Sequence, residues 1–99
     1  MLNITKKAND KELVISLEGR LDTMTAPELE KELKDDLEGV ETLIFDFDQL
    51  QYISSAGLRI LLSAQKQMNK QGNMIVRNSS EEIMEIFEVT GFSDILTIE

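Results

Sequence analysis

Between Glu12 and Glu18 the side chains follow a two-residue period, with Leu13, Ile15 and Leu17 on one side. That is the pattern of a half-buried strand. Asn9-Asp10 before it is a turn signal, so residues 2–7 are expected to supply the other arm of a hairpin, and Gly19 to end the second arm. The period then changes. Ala26, Leu29, Leu33 and Leu37 fall on one helical face, opposite Glu30, Lys31, Glu32, Lys34 and Asp35, a solvated side with Glu30 and Lys34 spaced for a local pair. Thr25-Ala26-Pro27-Glu28 reads as that helix's start, with Thr25 as cap and Glu28 reaching back, and Gly39 as its stop.

Leu43-Ile44-Phe45-Asp46-Phe47 is apolar on both parities until Asp46, which predicts a central strand covered on both faces. Ser55-Ala56-Gly57 opens a second helix with Leu58, Leu61, Leu62, Ala64, Gln65 and Met68 on one side, closed by Gly72 just past its end. Met74-Ile75-Val76 is a short buried strand. Ser79-Ser80-Glu81-Glu82 is a capping box ahead of the stripe Ile83, Ile86, Phe87; Gly91 ends that helix, and residues 95–98 can add a last strand. The order β-β-α-β-α-β-α-β predicts one α/β domain over residues 1–99. Four to five strands form a mixed sheet, with three main helices predominantly on one face.

Composition narrows the chemistry. The 99 residues contain no cysteine and no histidine. Disulfides, thiolate metal sites, thiol nucleophiles and histidine-based triads are therefore excluded within this chain. Ten basic residues against nineteen acidic ones give a net charge of −9. Such a surface repels phosphate backbones, so no nucleic-acid partner is expected, nor docking on anionic lipid. No apolar run approaches a membrane span and the N-terminus carries no export signal, so the expectation is a soluble, cytoplasmic protein without membrane insertion.

Sites in open α/β sheets lie at the carboxyl ends of strands. The polar stretch from Asp46 to Leu58 leaves the central strand and enters a helix with Ser54 and Ser55 at its start. The plainest role for either serine is to cap the helix. A serine there can also carry a phosphoryl group facing the positive helix end and its free N–H groups. Asp46 and Asp48 could hold magnesium as in aspartyl-phosphate receivers, but two carboxylates are a weak metal signal and more often finish a strand. No phosphate-binding glycine motif occurs, and the serine turn lacks both a preceding glycine and a histidine to activate it. Catalysis within this chain is not expected, and no cofactor or metal site is assigned.

These residues resemble the STAS-domain anti-sigma factor antagonists, also called anti-anti-sigma factors, along essentially the whole chain. Gly19-Arg20-Leu21-Asp22 is similar to the family's G-x-L-D turn, Leu43-Ile44-Phe45-Asp46-Phe47 to its central strand, and Tyr52-Ile53-Ser54-Ser55-Ala56-Gly57-Leu58 to its phosphorylation motif. The resemblance implies that Ser55, two residues before the motif glycine, is the phosphoacceptor. It implies a partner that is an anti-sigma factor serine kinase of the ATP-binding GHKL type, and a PP2C-type phosphatase that removes the phosphate. The unphosphorylated protein would bind the kinase and free its sigma factor; phosphorylation would break that complex. Asp22, Thr23, Ser54, Ser55, Ala56, Gly57, Leu58 and Arg59 are the implied contact surface. An aspartate often precedes the acceptor in this family, where Ser54 stands here. Gly57 could equally serve close packing and Leu58 the core. Asp22, Asp46 and Asp48 are expected near one sheet edge, so that new negative charge on Ser55 repels a docked partner. Two rival functions stay open: a STAS adaptor never modified at Ser55, and a receiver-like acceptor using Asp46 or Asp48.

Overall fold

The computed structural model describes residues 2–99. It has the strands β1 (Leu2–Asn9), β2 (Glu12–Leu21), β3 (Thr42–Ile53), β4 (Asn73–Arg77) and β5 (Thr97–Ile98). The helices are α1 (Ala26–Asp36), α2 (Ser55–Gln71) and α3 (Glu81–Thr90), followed by a 3₁₀ turn at Phe92–Asp94 that periodicity did not indicate. The strands form one sheet in the order β1-β2-β3-β4-β5. β1 and β2 are antiparallel, and the remaining pairs are parallel. Crossovers through α1, α2 and α3 enforce the parallel part, because a strand can return in the same direction only by a long connection.

One face of the sheet carries the core. Leu13, Ile15 and Leu17 of β2, Leu43, Phe45 and Phe47 of β3, and Met74 and Val76 of β4 join Leu29 and Leu33 of α1, Leu58 and Leu61 of α2, and Ile83 and Phe87 of α3 in a single buried cluster. The opposite face was expected to be covered too, and is not. There Ile44 lies between Val14 and Ile75 by strand register and is shielded by these half-buried neighbours and not by a helix. Ile86 is half-buried, so α3 rests on Ile83 and Phe87.

Several boundaries differ from the sequence reading, each for a local reason. Gly19 does not end β2: the strand continues to Leu21, with register shifts against β3 on either side of Glu18-Gly19. β3 runs past Phe47 to Ile53, because its distal half pairs with that extension of β2. Thr25 does not cap α1 with its side chain. Its backbone is already helical, and its Oγ1 accepts from the Asp22 N–H at 2.9 Å and donates to the Arg20 carbonyl at 2.8 Å. Among the described residues Glu30 and Lys34 form no ion pair; α1 is instead tied to β1 by Lys6, which bonds Glu32 and Asp36 and whose pKa those two carboxylates raise. Ser80 alone caps α3, accepting from the Ile83 N–H at 3.2 Å. Gly72 ends α2 in extended backbone, not in the left-handed form, and is needed for space: a Cβ there would lie 1.8 Å from the Glu41 carbonyl oxygen.

Candidate functional site

The far ends of β2 and β3 bring the motif residues together. Leu21 pairs with Ile53, and the Ser54 N–H donates to the Leu21 carbonyl at 2.8 Å. The turn after β2 is therefore bonded to the start of α2. Asp22 organises that turn: its Oδ1 accepts from the Thr25 N–H at 3.1 Å and the Met24 N–H at 3.0 Å. The Thr25 N–H bond in particular holds the Asp22 carboxyl below its ordinary value, by favouring the charged acceptor.

The serine pair divides its work. Ser54 is the N-cap, with extended backbone and an Oγ that accepts from the Gly57 N–H at 3.4 Å, while its carbonyl accepts from the Leu58 N–H at 2.9 Å. Ser55 is the first helical residue and is exposed; among the described residues its hydroxyl has no hydrogen-bond partner. The N–H groups of Ser55 and Ala56 lie in the first turn, where an α-helix leaves donors unpaired. A group on Ser55 Oγ thus meets solvent, the positive helix end and two free donors.

Gly57 and Leu58 turn inward. A Cβ on Gly57 would lie 2.7 Å from Leu21 Cγ and 2.9 Å from Ile53 Cγ1, so glycine lets α2 start directly against the two strand ends. Leu58 is buried in the core. Thr23 and Arg59 are exposed and Ala56 is half-buried; all three line a cleft of ≈ 260 Å³ with Ala26, Pro27, Glu30 and Ile60, between the first turns of α1 and α2.

Asp46 and Asp48 are not in this constellation. Ser16, opposite Asp46, and Leu21, opposite Ile53, are five residue steps apart on β2. At ~3.3 Å per residue that is about 16 Å. Asp46 lies instead beside Arg77, at 3.6 Å, and Asn78, whose amide donates to it at 3.1 Å. Partial burial pushes the Asp46 pKa up; the Asn78 amide, the Asp48 N–H and Arg77 outweigh it, and the net direction is down. The shared acidic edge expected from sequence is therefore absent, and Asp22 is the carboxylate that adjoins Ser54. Among the described residues no group of three or more acidic, histidine or cysteine side chains is placed to hold a metal ion.

Three residues outside the expected set belong to this surface. Arg20 lies over the Tyr52 ring, 4.4 Å from its centroid, and 3.9 Å from the Asp22 carboxylate. Met24, in the turn that Asp22 holds, is 84% exposed. Alternation alone could have found Arg20 and Tyr52, had both strands been extended to residues 21 and 53.

Residues 3–99 match the STAS domain. The chain belongs to the STAS domain family. BtrV of Bordetella bronchiseptica, assigned as an anti-sigma factor antagonist, is 32% identical over 99 residues, covering 98% of this STAS domain and 85% of BtrV. An anti-sigma factor antagonist of Mycobacterium paratuberculosis superposes with a TM-score of 0.90 at 21% identity, covering 99% of this chain and 85% of that one. The Bacillus cell fate determinant SpoIIAA in its phosphorylated form superposes at 0.77 with 20% identity, covering 98% and 91%. These two superpositions establish the shared fold of the STAS domain. No described helix of this STAS domain is long and apolar enough to cross a membrane.

Proposed function

We propose that this STAS domain is an anti-sigma factor antagonist whose binding is switched by phosphorylation of Ser55. The observation that carries the proposal is the division between the serines: Ser54 is committed to the cap, and Ser55 is exposed with a free hydroxyl at the same helix end. The relatives' designation as anti-sigma factor antagonists, and the existence of SpoIIAA in a phosphorylated form, support the class of partner and of modification.

In this mechanism the unphosphorylated surface around Asp22, Thr23, Ser55 and Arg59 binds an anti-sigma factor that is also a GHKL-type serine kinase, and the sigma factor is released. The kinase then transfers the γ-phosphoryl group of ATP to Ser55. A bond forms between Ser55 Oγ and phosphorus, the bond from phosphorus to the bridging oxygen breaks, ADP leaves, and the hydroxyl proton passes to a base on the kinase. The product carries about −1.5 to −2 additional charge inside the contact surface. The neighbouring turn already carries the Asp22 carboxylate, 3.9 Å from Arg20. The modified complex dissociates without refolding, and a PP2C-type phosphatase restores the binding form. This chain supplies an acceptor and a surface; catalysis belongs to its partners.

The test begins with a pull-down from native extract using Ser55→Ala protein, which identifies the retained kinase. With that kinase and ATP, wild type and Ser54→Ala are expected to be labelled and Ser55→Ala is not, while Ser55→Ala keeps its affinity. Ser55→Glu is expected to bind at least tenfold more weakly, a change of about 1.4 kcal/mol. Labelling of Ser55→Ala but not Ser54→Ala moves the acceptor by one residue. Protein from its own cells that never shows the phosphate mass selects the unmodified adaptor instead.

A further inference from the structure

The first turn of α2 lacks an acidic residue, whereas α1 and α3 begin with Glu28 and with Glu81 and Glu82. Acidic side chains at that position offset the positive end of a helix. At α2 the nearest charge on the helix is of the same sign: Arg59, one turn in from Ser55. Its side chain is exposed, and it is the one arginine among the described residues with no carboxylate within ion-pairing distance; Arg20 and Arg77 each have one, while several lysines likewise have none. Glu30 of α1 lines the same cleft and is the carboxylate that faces Arg59 across it without closing an ion pair. That leaves the guanidinium without a charged partner among the described residues.

Spacing supplies one. Ser55 and Arg59 are four residues apart on a helix, so their Cβ atoms are ~5–6 Å apart on one face. Helical side chains lean toward the N-terminus, which tilts Arg59 back over Ser55. A phosphoserine presents three acceptor oxygens, and guanidinium binds phosphate as a two-pronged donor, which ammonium cannot do.

Taking Ser55 as the acceptor, as argued above, we propose that Arg59 is the counter-ion of the Ser55 phosphate. The switch then works by withdrawing this arginine from the partner as well as by adding charge. Unmodified, Arg59 stands free at the mouth of the cleft beside Thr23 and Ala56 and is offered to a carboxylate on the docked anti-sigma factor. Modified, the same guanidinium turns back onto the phosphate. The partner loses an ion pair and meets a surface on which this cation is occupied. This pairs the antagonist with a partner that places an acidic side chain over the first turn of α2. It also makes residue 59 a determinant of which partner is released on phosphorylation.

The experiment places phosphoserine at position 55 of the full chain during translation and follows its second ionisation by phosphorus NMR. The phosphate of the otherwise wild-type chain is expected to ionise ~0.3 of a pH unit lower than that of Arg59→Gln at low salt, the size that an exposed pair at this spacing converts to. The difference should shrink at high salt, and Arg59→Lys should keep part of it. Unphosphorylated Arg59→Gln should bind the kinase retained by the Ser55→Ala protein at least tenfold more weakly than wild type. Equal ionisation in the wild-type and Arg59→Gln chains overturns the proposal, as does unchanged affinity of unphosphorylated Arg59→Gln. The phosphoserine is installed without a kinase, so equal ionisation is a failure of Arg59. Kinase labelling that spares Ser55 is a failure of the acceptor assignment.

Discussion

Ser54 and Ser55 are adjacent and chemically identical, yet the fold gives them different consequences. Ser54→Ala removes the cap of α2 and is expected to cost about 1 kcal/mol in reversible urea unfolding. Ser55→Ala removes a hydroxyl that bonds nothing within the described chain and should leave the unfolding midpoint nearly unchanged. Sequence alone left the cap open between the two; the extended backbone of Ser54 assigns it. Gly57 is similarly exacting. Alanine there gains some helix propensity, at most about 1 kcal/mol. Its Cβ, however, would press on the fully buried Leu21 and Ile53, an overpacking that costs ~1–3 kcal/mol. Gly57→Ala should therefore lower stability in the same assay, and a stabilised variant would show that the two strand ends can give way.

At the scale of elements, the helices are read well from their apolar faces and less well at their ends. Leu33 and Leu61 both face the core, as their spacing indicates, but Leu61 is fully enclosed while Leu33 lines a ≈ 310 Å³ groove between α1 and α2. Truncating a buried leucine to alanine costs ~2–5 kcal/mol. Leu61→Ala belongs at the upper end of that range and Leu33→Ala at the lower, where the open groove has already left some of its surface in contact with solvent; denaturant titration of the two variants checks the order. Strand ends were harder to read because polar residues continue the pairing: Gln49 and Tyr52 extend β3 opposite Glu18 and Arg20, with the buried Leu50 between them opposite Gly19. A two-residue period cannot mark where such a ladder stops, since its hydrogen bonds come from the backbone.

For the molecule as a whole, charge decides two outcomes. With a net charge of −9, gel shifts with arbitrary duplex DNA at moderate salt should show no retained complex. Asp22 and Asp46 both have their pKa lowered by folding. A carboxyl lowered in this way contributes stability above its ordinary value near 3.8, and the contribution is lost as pH falls through the lower folded value. Stability should therefore decline on the acid side of pH 4. Asp46→Asn, which keeps the shape but cannot titrate, should flatten that decline when urea midpoints are compared between pH 7 and pH 3.

By itself the sequence determined the element order, the apolar faces that form the core, the family resemblance and the serine motif, because these depend on local periodicity and on residues close together in the chain. It also excluded histidine and cysteine chemistry outright. Only the tertiary structure decided that Asp46 stands about 16 Å from the end of the sheet where Ser54 begins, that the Thr25 side chain bonds the preceding turn in place of its own helix, and that Arg20 stacks on Tyr52. Each of these depends on how far β2 and β3 run side by side and on where they shift register. That is a property of two segments some thirty residues apart, and no single stretch of the chain encodes it.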